Sequence, residues 1–407
     1  RFAPSPTGFL HVGGFRTALY NFLFAKRNKG VFILRIEDTD QKRSVPGAKE
    51  NLLKTLEWAG FSFDEGPFVQ SDRLDIYQKY ASELAKTGRA YYCFCEPERL
   101  EKLKDEQRSN KQAPMYDKYC LRNLTEDEIN KSLKSNCPYT IRLKVPDSEK
   151  IEFNDLVRGK VSFDTSTIDD QVLLKSDGYP TYHLASVVDD YLMKISHVIR
   201  GEEWLPSTPK HILLYKAFGW DIPEFAHLPL LLNANRSKLS KRQGDVAVED
   251  YIKKGYLRGA IINFVALLGW NPGEGSTQEE FSIEELIEKF DLSHVHKGGA
   301  VFDLKKFDWL NAQYIKKMPL DEIYERSLEF FDQKDFYQDA TDEKKSEDYL
   351  KKILAIERDR LNKLSEVGEY NRFFFEDISY SKELLRWKNM NEAEIKESLE
   401  KSQKILE

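Results

Sequence analysis

The N-terminal pattern constrains the fold more than any other part of the chain. Residues 1–5 read as the end of a short strand, and residues 4–8 read as a Pro- and Gly-containing loop. From Gly13, apolar residues recur at helical spacing to about Lys29, and the β-rich run 31–36 follows. This succession of strand, loop, helix and strand predicts an open α/β sheet, which binds its ligands at the carboxyl ends of its strands.

Length and composition exclude several classes of protein. With 407 residues, 41% of them hydrophobic and 32% charged, the chain is expected to form two or three soluble domains. No apolar run approaches the roughly 20 residues that span a bilayer, so no membrane partner is expected. A net charge of −6 argues against nucleic-acid binding over the whole surface but permits a local basic footprint.

The four cysteines give no sign of a disulfide scaffold, which favours a reducing compartment. No secretory signal is visible. Because the chain opens on Arg1 rather than Met, the question of a lost targeting peptide stays open.

Composition shifts along the chain predict five segments. An α/β core in two halves, 1–70 and 179–232, is interrupted by a mixed α+β insertion at 71–178. Residues 233–312 carry a basic loop and an apolar helix. Residues 313–407 show charged amphipathic helices, as in an all-α bundle.

The first helix begins with a pattern suited to phosphate. A helix N-terminus presents unpaired amides and a partial positive charge. Gly13 and Gly14 would let a nucleotide approach the backbone, and His11 could donate a hydrogen bond to a phosphate oxygen. For the motif alone, a tight turn with an ordinary loop histidine is the simpler interpretation.

A second candidate element is strongly basic. Arg236, Lys238, Lys241 and Arg242 bring four cations without an acid, and Ser240 lies among them. Most such runs are solvated surface. This one follows an apolar strand, which favours a catalytic loop whose cations meet the charge that develops during phosphoryl or nucleotidyl transfer.

Other candidates lie at the ends of predicted strands and helices. Glu37 ends the second strand and could hold a substrate ammonium group, or it could simply bind water or cap a helix. Arg1 and Arg200 could pair with carboxylates. The residues expected to frame a small polar substrate and an adenosine are Tyr182, Arg200, Glu203 and Trp204.

Three cysteines and a tyrosine are spaced as a potential zinc site: Cys93, Cys95, Tyr116 and Cys120. Three thiolates with a phenolate would be an unusual ligand set, because imidazole or a fourth thiolate is commoner. Free thiols are the simpler interpretation, and the zinc alternative stays open.

These motifs together resemble a known family. Residues 1–8 (RFAPSPTG) and 11–14 (HVGG) are similar to the first signature of class I aminoacyl-tRNA synthetases. Four further motifs resemble, more narrowly, those of bacterial-type and organellar glutamyl-tRNA synthetases: RIEDTD (35–40), YPTYHL (179–184), VIRGEEW (198–204) and KLSKR (238–242).

The resemblance implies a Rossmann-type catalytic core with an insertion that binds the tRNA acceptor stem. It further implies a stem-contact region and a helical anticodon-binding domain, which stops within or after the first of the family's two usual helical subdomains. The activity that the resemblance implies is ligation of L-glutamate to tRNA using ATP and Mg²⁺. The implied glutamate pocket comprises Arg1, Ser5, Glu37, Tyr182 and Arg200. The implied ATP site comprises His11, Gly13, Gly14, Glu203, Trp204, Lys238, Ser240, Lys241 and Arg242, with His11, Lys238 and Lys241 as the catalytic groups.

The chain departs from the family pattern at three positions. Gly14 replaces a second histidine, Ser186 stands where relatives often carry asparagine, and Arg122 stands where zinc-bearing relatives carry histidine.

Three rival functions are disfavoured. An enzyme that loads glutamate onto a modified tRNA nucleoside would lack the long stretch beyond Trp309. A small-molecule nucleotidyltransferase would need neither the insertion nor the helical C-terminal part. A catalytically inactive tRNA-binding protein would not need the intact motif residues His11, Glu37, Arg200 and Lys241. Whether glutamine tRNA is also charged stays open. A bacterial cytoplasmic monomer is expected, with an organelle matrix as the alternative compartment.

Overall fold

The computed structural model describes most of the chain, namely residues 1–239, 247–273, 275–377 and 379–406. Its internal contacts divide it into two compact units. The first comprises residues 1–253 with 258–310, and the second comprises residues 254–257 with 311–407.

The first unit contains both helices and strands. Its helices are α1 (Val12–Arg27), α2 (Ala48–Ala59), α3 (Leu74–Lys86), α4 (Pro97–Ser109), α5 (Tyr119–Asn123), α6 (Glu126–Lys134), α7 (Tyr182–Leu192), α8 (Thr208–Phe218), α9 (Val248–Lys253), α10 (Arg258–Ala266), α11 (Ile283–Lys289) and α12 (Leu304–Lys317), which contains residues of both units. Its strands are β1 (Ile33–Ile36), β2 (Glu65–Val69), β3 (Ala90–Cys93), β4 (Thr140–Leu143), β5 (Lys150–Asp155), β6 (Gly159–Asp164), β7 (Val172–Leu174), β8 (His197–Gly201), β9 (Glu224–Leu228), β10 (Leu231–Leu232) and β11 (Ala300–Val301).

Parallel strand pairs form the core, as the N-terminal pattern predicts. β1 pairs with β2, β8 with β9, and β10 with β11, all in parallel. Phe2 adds a parallel bridge to Leu34, so the predicted first strand is reduced to a single bridging residue. Helix α1 packs against β8, α10 and α11 with a buried apolar face that includes Phe15, Leu19 and Leu23. The predicted α/β class is therefore confirmed.

Two details differ from the sequence interpretation. The apolar run 226–232 reads from the sequence as one strand, but the structure divides it into β9 and β10 at Pro229, because proline has no N–H to donate to a sheet. The hairpin β5–β6, which falls within the predicted insertion, is hydrogen-bonded to core strand β9 in the order β6-β5-β9-β8. An unpaired edge of β9 is thereby covered. The insertion also holds a separate antiparallel sheet, β3-β4-β7.

The second unit is helical, as expected for the C-terminal part of the chain. Beyond α12 its helices are α13 (Leu320–Phe331), α14 (Asp335–Gln338), α15 (Glu347–Glu357) and α16 (Glu392–Leu406). α13 buries one face that includes Ile323 and Phe330, and α15 buries one that includes Leu350 and Leu354. Within the described residues, no helix combines the length and apolar character needed to cross a membrane.

Candidate active site

A cavity of about 1130 Å³ in the first unit gathers most of the candidate residues. Its walls come from the start of α1, the ends of β1 and β8, the start of α7 and the turn after β10. The candidates that line it are Arg1, Ser5, His11, Gly13, Gly14, Glu37, Tyr182, Arg200, Glu203, Trp204 and Lys238. Ser240, Lys241 and Arg242 lie outside the described residues.

His11 caps the helix that was expected to bind phosphate. Its Nδ1 accepts a hydrogen bond from the Gly14 amide at 3.2 Å. The ring proton of a neutral His11 is therefore at Nε2, the atom that can donate to a ligand. The Gly14 amide, expected to meet phosphate, is occupied by this cap.

The two glycines also have a steric role within the protein. A Cβ on Gly13 would lie 3.0 Å from the His11 ring, and a Cβ on Gly14 would lie 2.9 Å from Leu10. The absent side chains thus leave room for protein atoms at the start of α1, which keeps the His11 ring close to the helix end.

Both flanks of the basic loop are attached close to α1. Leu239 donates its amide to the Leu231 carbonyl at 2.9 Å, which holds the neighbouring Lys238 at the cavity. On the far side of residues 240–246, Val248 donates its amide to the Leu10 carbonyl at 3.1 Å. Two parts of the chain that are distant in sequence therefore meet at the N-terminus of α1.

A buried ionic network borders the cavity through Arg1 and Glu37. Asp190 accepts hydrogen bonds from Arg1 Nε at 3.0 Å and from Arg35 Nη1 at 2.8 Å. Arg35 Nη2 in turn donates to Glu37 Oε1 at 2.8 Å and lies 3.4 Å from Ser186 Oγ. Ser186 thus contacts this network. The chain of charges connects two of the predicted glutamate-binding residues, Arg1 and Glu37.

Sequence reasoning missed the two residues at the centre of this network. Arg35 interrupts an apolar strand, and Asp190 follows Asp189 in an otherwise apolar helix. A charge inside an apolar segment is rarely buried without a partner, and this signal was available in the sequence.

The network shifts the pKa values of its two carboxylates in opposite directions. Burial opposes ionisation of Asp190, but the Arg1 and Arg35 guanidinium groups outweigh it and hold the pKa of Asp190 well below its usual range. Burial raises the pKa of Glu37 although Arg35 and Arg1 act against it. The hydrogen bonds that Glu37 receives from described residues all reach Oε1, so Oε2 can face a ligand cation.

Arg200, Tyr182 and Trp204 form a further part of the cavity wall. Arg200 Nη1 donates to the Tyr182 hydroxyl at 2.8 Å, and the Tyr182 ring packs on Trp204 with centroids 4.4 Å apart. Glu203 folds back over Gly201, where any Cβ would overlap its carboxylate. An exposed Trp204 face and the Glu203 carboxylate are suited to a nucleoside.

The cysteine candidates cluster in the predicted insertion. The Sγ atoms of Cys93, Cys95 and Cys120 all lie within 4.8 Å of one another. The Tyr116 hydroxyl lies 3.4 Å from Cys93 Sγ and 3.3 Å from Cys95 Sγ. The hydrogen bond between Cys93 and Cys120 lowers the pKa of the Cys93 thiol and raises that of the Cys120 thiol, so a metal ion would have to displace the proton of Cys120.

The fold and the cavity define a class of protein, and comparison with known families agrees. The model of tRNA synthetases class I (E and Q), catalytic domain, matches residues 1–309, and that of an anticodon binding domain matches residues 322–407. The chain belongs to the class I tRNA synthetases of the E and Q group.

Its relatives are glutamate–tRNA ligases. The chain is 53% identical to that of Chlorobaculum parvum over 413 residues, covering 95% of this chain and 81% of the relative. Identity to that of Chlorobium phaeobacteroides is 59% over 336 residues, covering 79% and 67%. A glutamate tRNA ligase from Elizabethkingia meningosepticum, solved in complex with its amino acid, superposes with a TM-score of 0.86 at 42% identity and covers 94% of this chain and 81% of that one.

Proposed function

We propose that this protein ligates L-glutamate to the 3′ end of tRNA in two steps, through a glutamyl-adenylate, for protein synthesis. The observation that carries this proposal is one cavity lined by two chemically different groups of side chains. The first group is His11 and Lys238 with a helix N-terminus, and the second is Arg1, Glu37 and Arg200. The first group suits a triphosphate, and the second suits an amino acid with two carboxylates.

The three charged groups of glutamate can each be assigned to particular residues of the cavity. The α-ammonium and α-carboxylate share one carbon, so they suit Glu37 and Arg1, which the Asp190–Arg35 bridge holds together. Arg200 with Tyr182 then receives the side-chain carboxylate. Each charged hydrogen bond contributes about 1.5–3 kcal/mol, so one or two could supply much of the discrimination against glutamine.

The first step forms a bond between the glutamate α-carboxylate and the α-phosphorus of ATP and releases pyrophosphate. Negative charge grows on the α-phosphate and on the leaving pyrophosphate. His11 Nε2–H, Lys238 and Lys241 are the groups proposed to stabilise that charge. Mg²⁺ bound to the triphosphate would neutralise part of it, and Asp40 and Glu203 are carboxylates of the cavity suited to hold it.

In the second step the terminal ribose hydroxyl of tRNA attacks the mixed anhydride and releases AMP. We propose that residues 71–178 contact the acceptor stem and that the helical residues 313–407 contact the anticodon. Glutamate tRNA is the proposed partner, and glutamine tRNA is a second candidate. Aminoacylation of separate glutamate and glutamine tRNA transcripts distinguishes the two. We further propose a monomer in the bacterial cytoplasm.

The proposed activity has a direct assay. In ATP–pyrophosphate exchange with and without tRNA, we expect exchange with glutamate and not with glutamine. Lys241→Ala should lower kcat far more than it raises the KM for ATP, because a contact made mainly in the transition state is expressed in kcat. Absence of glutamate-dependent exchange in the presence of tRNA would contradict the function, and a normal kcat in Lys241→Ala would contradict only the role of that lysine.

A structural zinc ion is proposed for the insertion. The donor set would be Cys93, Cys95 and Cys120 with Tyr116, and the four side chains already lie together. Zinc would cross-link β3 to the segment that contains α5 and would serve folding rather than the reaction.

We expect Cys93→Ser to lose bound zinc and to lower the melting temperature. Cys137→Ser is the matched control, because Cys137 is an exposed free thiol. Metal analysis of protein purified without chelators measures the zinc content of the wild type and of each variant. If wild-type protein binds no zinc when the ion is supplied at equal concentration, the cysteines are free thiols and the proposal is wrong.

A further inference from the structure

Arg200 is held from behind by a histidine and an aspartate that do not line the cavity. Arg200 on β8 and His227 on β9 are partners in the parallel register, which places the two residues side by side. Arg200 Nε donates to His227 Nε2 at 3.1 Å, and His227 Nδ1 lies 2.6 Å from Asp155 Oδ2. All three residues are at most 4% exposed.

The protons of this chain can be assigned from chemistry. The Nε of a guanidinium group can only donate, so His227 Nε2 must accept and carry no proton. The imidazole proton is then at Nδ1 and is donated to Asp155. Burial lowers the pKa of His227, which keeps the ring neutral. Burial alone would raise the pKa of Asp155, but hydrogen bonds from His227 and neighbouring amides bring it below its usual range.

Further contacts restrict rotation of the guanidinium group. Arg200 Nη2 donates to Thr208 Oγ1 at 2.9 Å, and Thr208 Oγ1 lies 3.1 Å from His227 Nε2. The two longest contacts of Arg200 are to the Trp204 carbonyl oxygen at 3.3 Å and to His211 Nδ1 at 3.5 Å. An incoming carboxylate can replace these two weak contacts while the bond to His227 stays in place.

We propose that His227 and Asp155 are positioning residues that orient Arg200 toward the side-chain carboxylate of glutamate. The inference rests on the proposed role of Arg200 in binding that carboxylate. A guanidinium group fixed in one plane can pair with both oxygens of a carboxylate. The side-chain amide of glutamine has only one acceptor oxygen and presents N–H donors to the same donors of Arg200. Fixing the plane therefore contributes to selection as well as to affinity.

The test compares two replacements of His227. His227→Leu removes the hydrogen bonds of the ring to Arg200 and to Asp155. In ATP–pyrophosphate exchange we expect the KM for glutamate to increase about tenfold, while kcat and the KM for ATP change less than about twofold. His227→Gln keeps an acceptor for Arg200 and a donor for Asp155, and it should restore most of the glutamate affinity. A purely structural role would instead impair the KM for glutamate, the KM for ATP and the melting temperature together, without rescue by glutamine.

Asp155→Asn provides a second variant that preserves the shape of the site. Its amide NH₂ would face His227 Nδ1 and favour the tautomer with a proton on Nε2, which opposes the Arg200 Nε–H. We expect the KM for glutamate to rise as in His227→Leu. A glutamate KM at the wild-type value in folded Asp155→Asn would overturn the proposal.

Arg200→Ala separates the two levels of the inference. If Arg200→Ala leaves the KM for glutamate unchanged, the assignment of the pocket is wrong. If Arg200→Ala raises that KM and neither His227→Leu nor Asp155→Asn does, the pocket stands and the positioning role is wrong.

Discussion

Replacing His11 with alanine should slow glutamyl-adenylate formation by about 10²–10³-fold, the usual effect of removing one preorganised donor from a developing oxyanion. The same change removes the N-terminal cap of α1, because His11 Nδ1 accepts a hydrogen bond from the Gly14 amide at 3.2 Å. Loss of a cap costs about 1 kcal/mol of folding free energy. The two effects must be separated before a low rate is assigned to catalysis.

His11→Asn separates them. Asparagine is a favoured N-cap residue, so the free energy of unfolding in urea should return to near the wild-type value. Its side chain is shorter than histidine and cannot place a donor where Nε2 lies, so the exchange rate should stay low. A His11→Asn enzyme with the wild-type kcat would show that the imidazole does not act on the phosphate and that only the cap matters.

Replacing Asp190 with asparagine should have the second large effect, on both stability and glutamate binding. Asp190 is 3% exposed and contacts the guanidinium groups of Arg1 and Arg35. Removing one partner of a buried ion pair costs about 3–5 kcal/mol, because the remaining charges lack compensation. Since Arg1 and, through Arg35, Glu37 lose their anchor, the KM for glutamate should rise by about 10–100-fold.

Asp64→Asn is the matched control. Asp64 pairs with Lys26 at 2.7 Å on the protein surface. Exposed pairs contribute at most about 1 kcal/mol, and asparagine keeps an oxygen for the hydrogen bond that Asp64 accepts from the Phe32 amide, so neither urea unfolding nor the KM for glutamate should change much. If Asp190→Asn unfolds like Asp64→Asn and binds glutamate normally, the network does not organise the pocket.

The direction of the pKa shift of Asp190 determines how its contribution to the free energy of unfolding depends on pH. The pKa of Asp190 is held below its unfolded value, so the stabilisation is fully present above about pH 4 and is lost as the pH falls toward the pKa in the folded protein. The difference in stability between wild type and Asp190→Asn should therefore stay constant between neutral and mildly acidic pH and shrink only below about pH 4.

Local signals in the chain predicted several elements closely. The sequence alone indicates helices at 47–59, 97–109 and 208–218, and the structure has Ala48–Ala59, Pro97–Ser109 and Thr208–Phe218. α4 and α8 have proline in the first turn, and α2 and α8 end at Gly60 and Gly219 with positive φ. Proline and glycine act through their own backbone conformation, so these helix ends can be predicted without knowing any distant contact.

Long-range pairings were not predictable in this way. Pro229 divides a run that reads as one strand, and its carbonyl oxygen accepts a hydrogen bond from buried Arg16. The core edge at β9 is covered by a hairpin from the insertion. Such arrangements depend on which surfaces meet, and residue propensities carry little information about that.

The amino-acid sequence alone determined the α/β class, the helical C-terminal part and the identity of the chemical groups. These follow from periodicity, local backbone preferences and motif composition, which act over a few residues. Only the tertiary structure decided that Asp190 joins Arg1 to Arg35, that His227 stands between Asp155 and Arg200, and that Lys238 and His11 line one cavity. A buried charge takes whichever partner the packing of distant elements brings within about 3 Å, and that choice is a property of the whole fold.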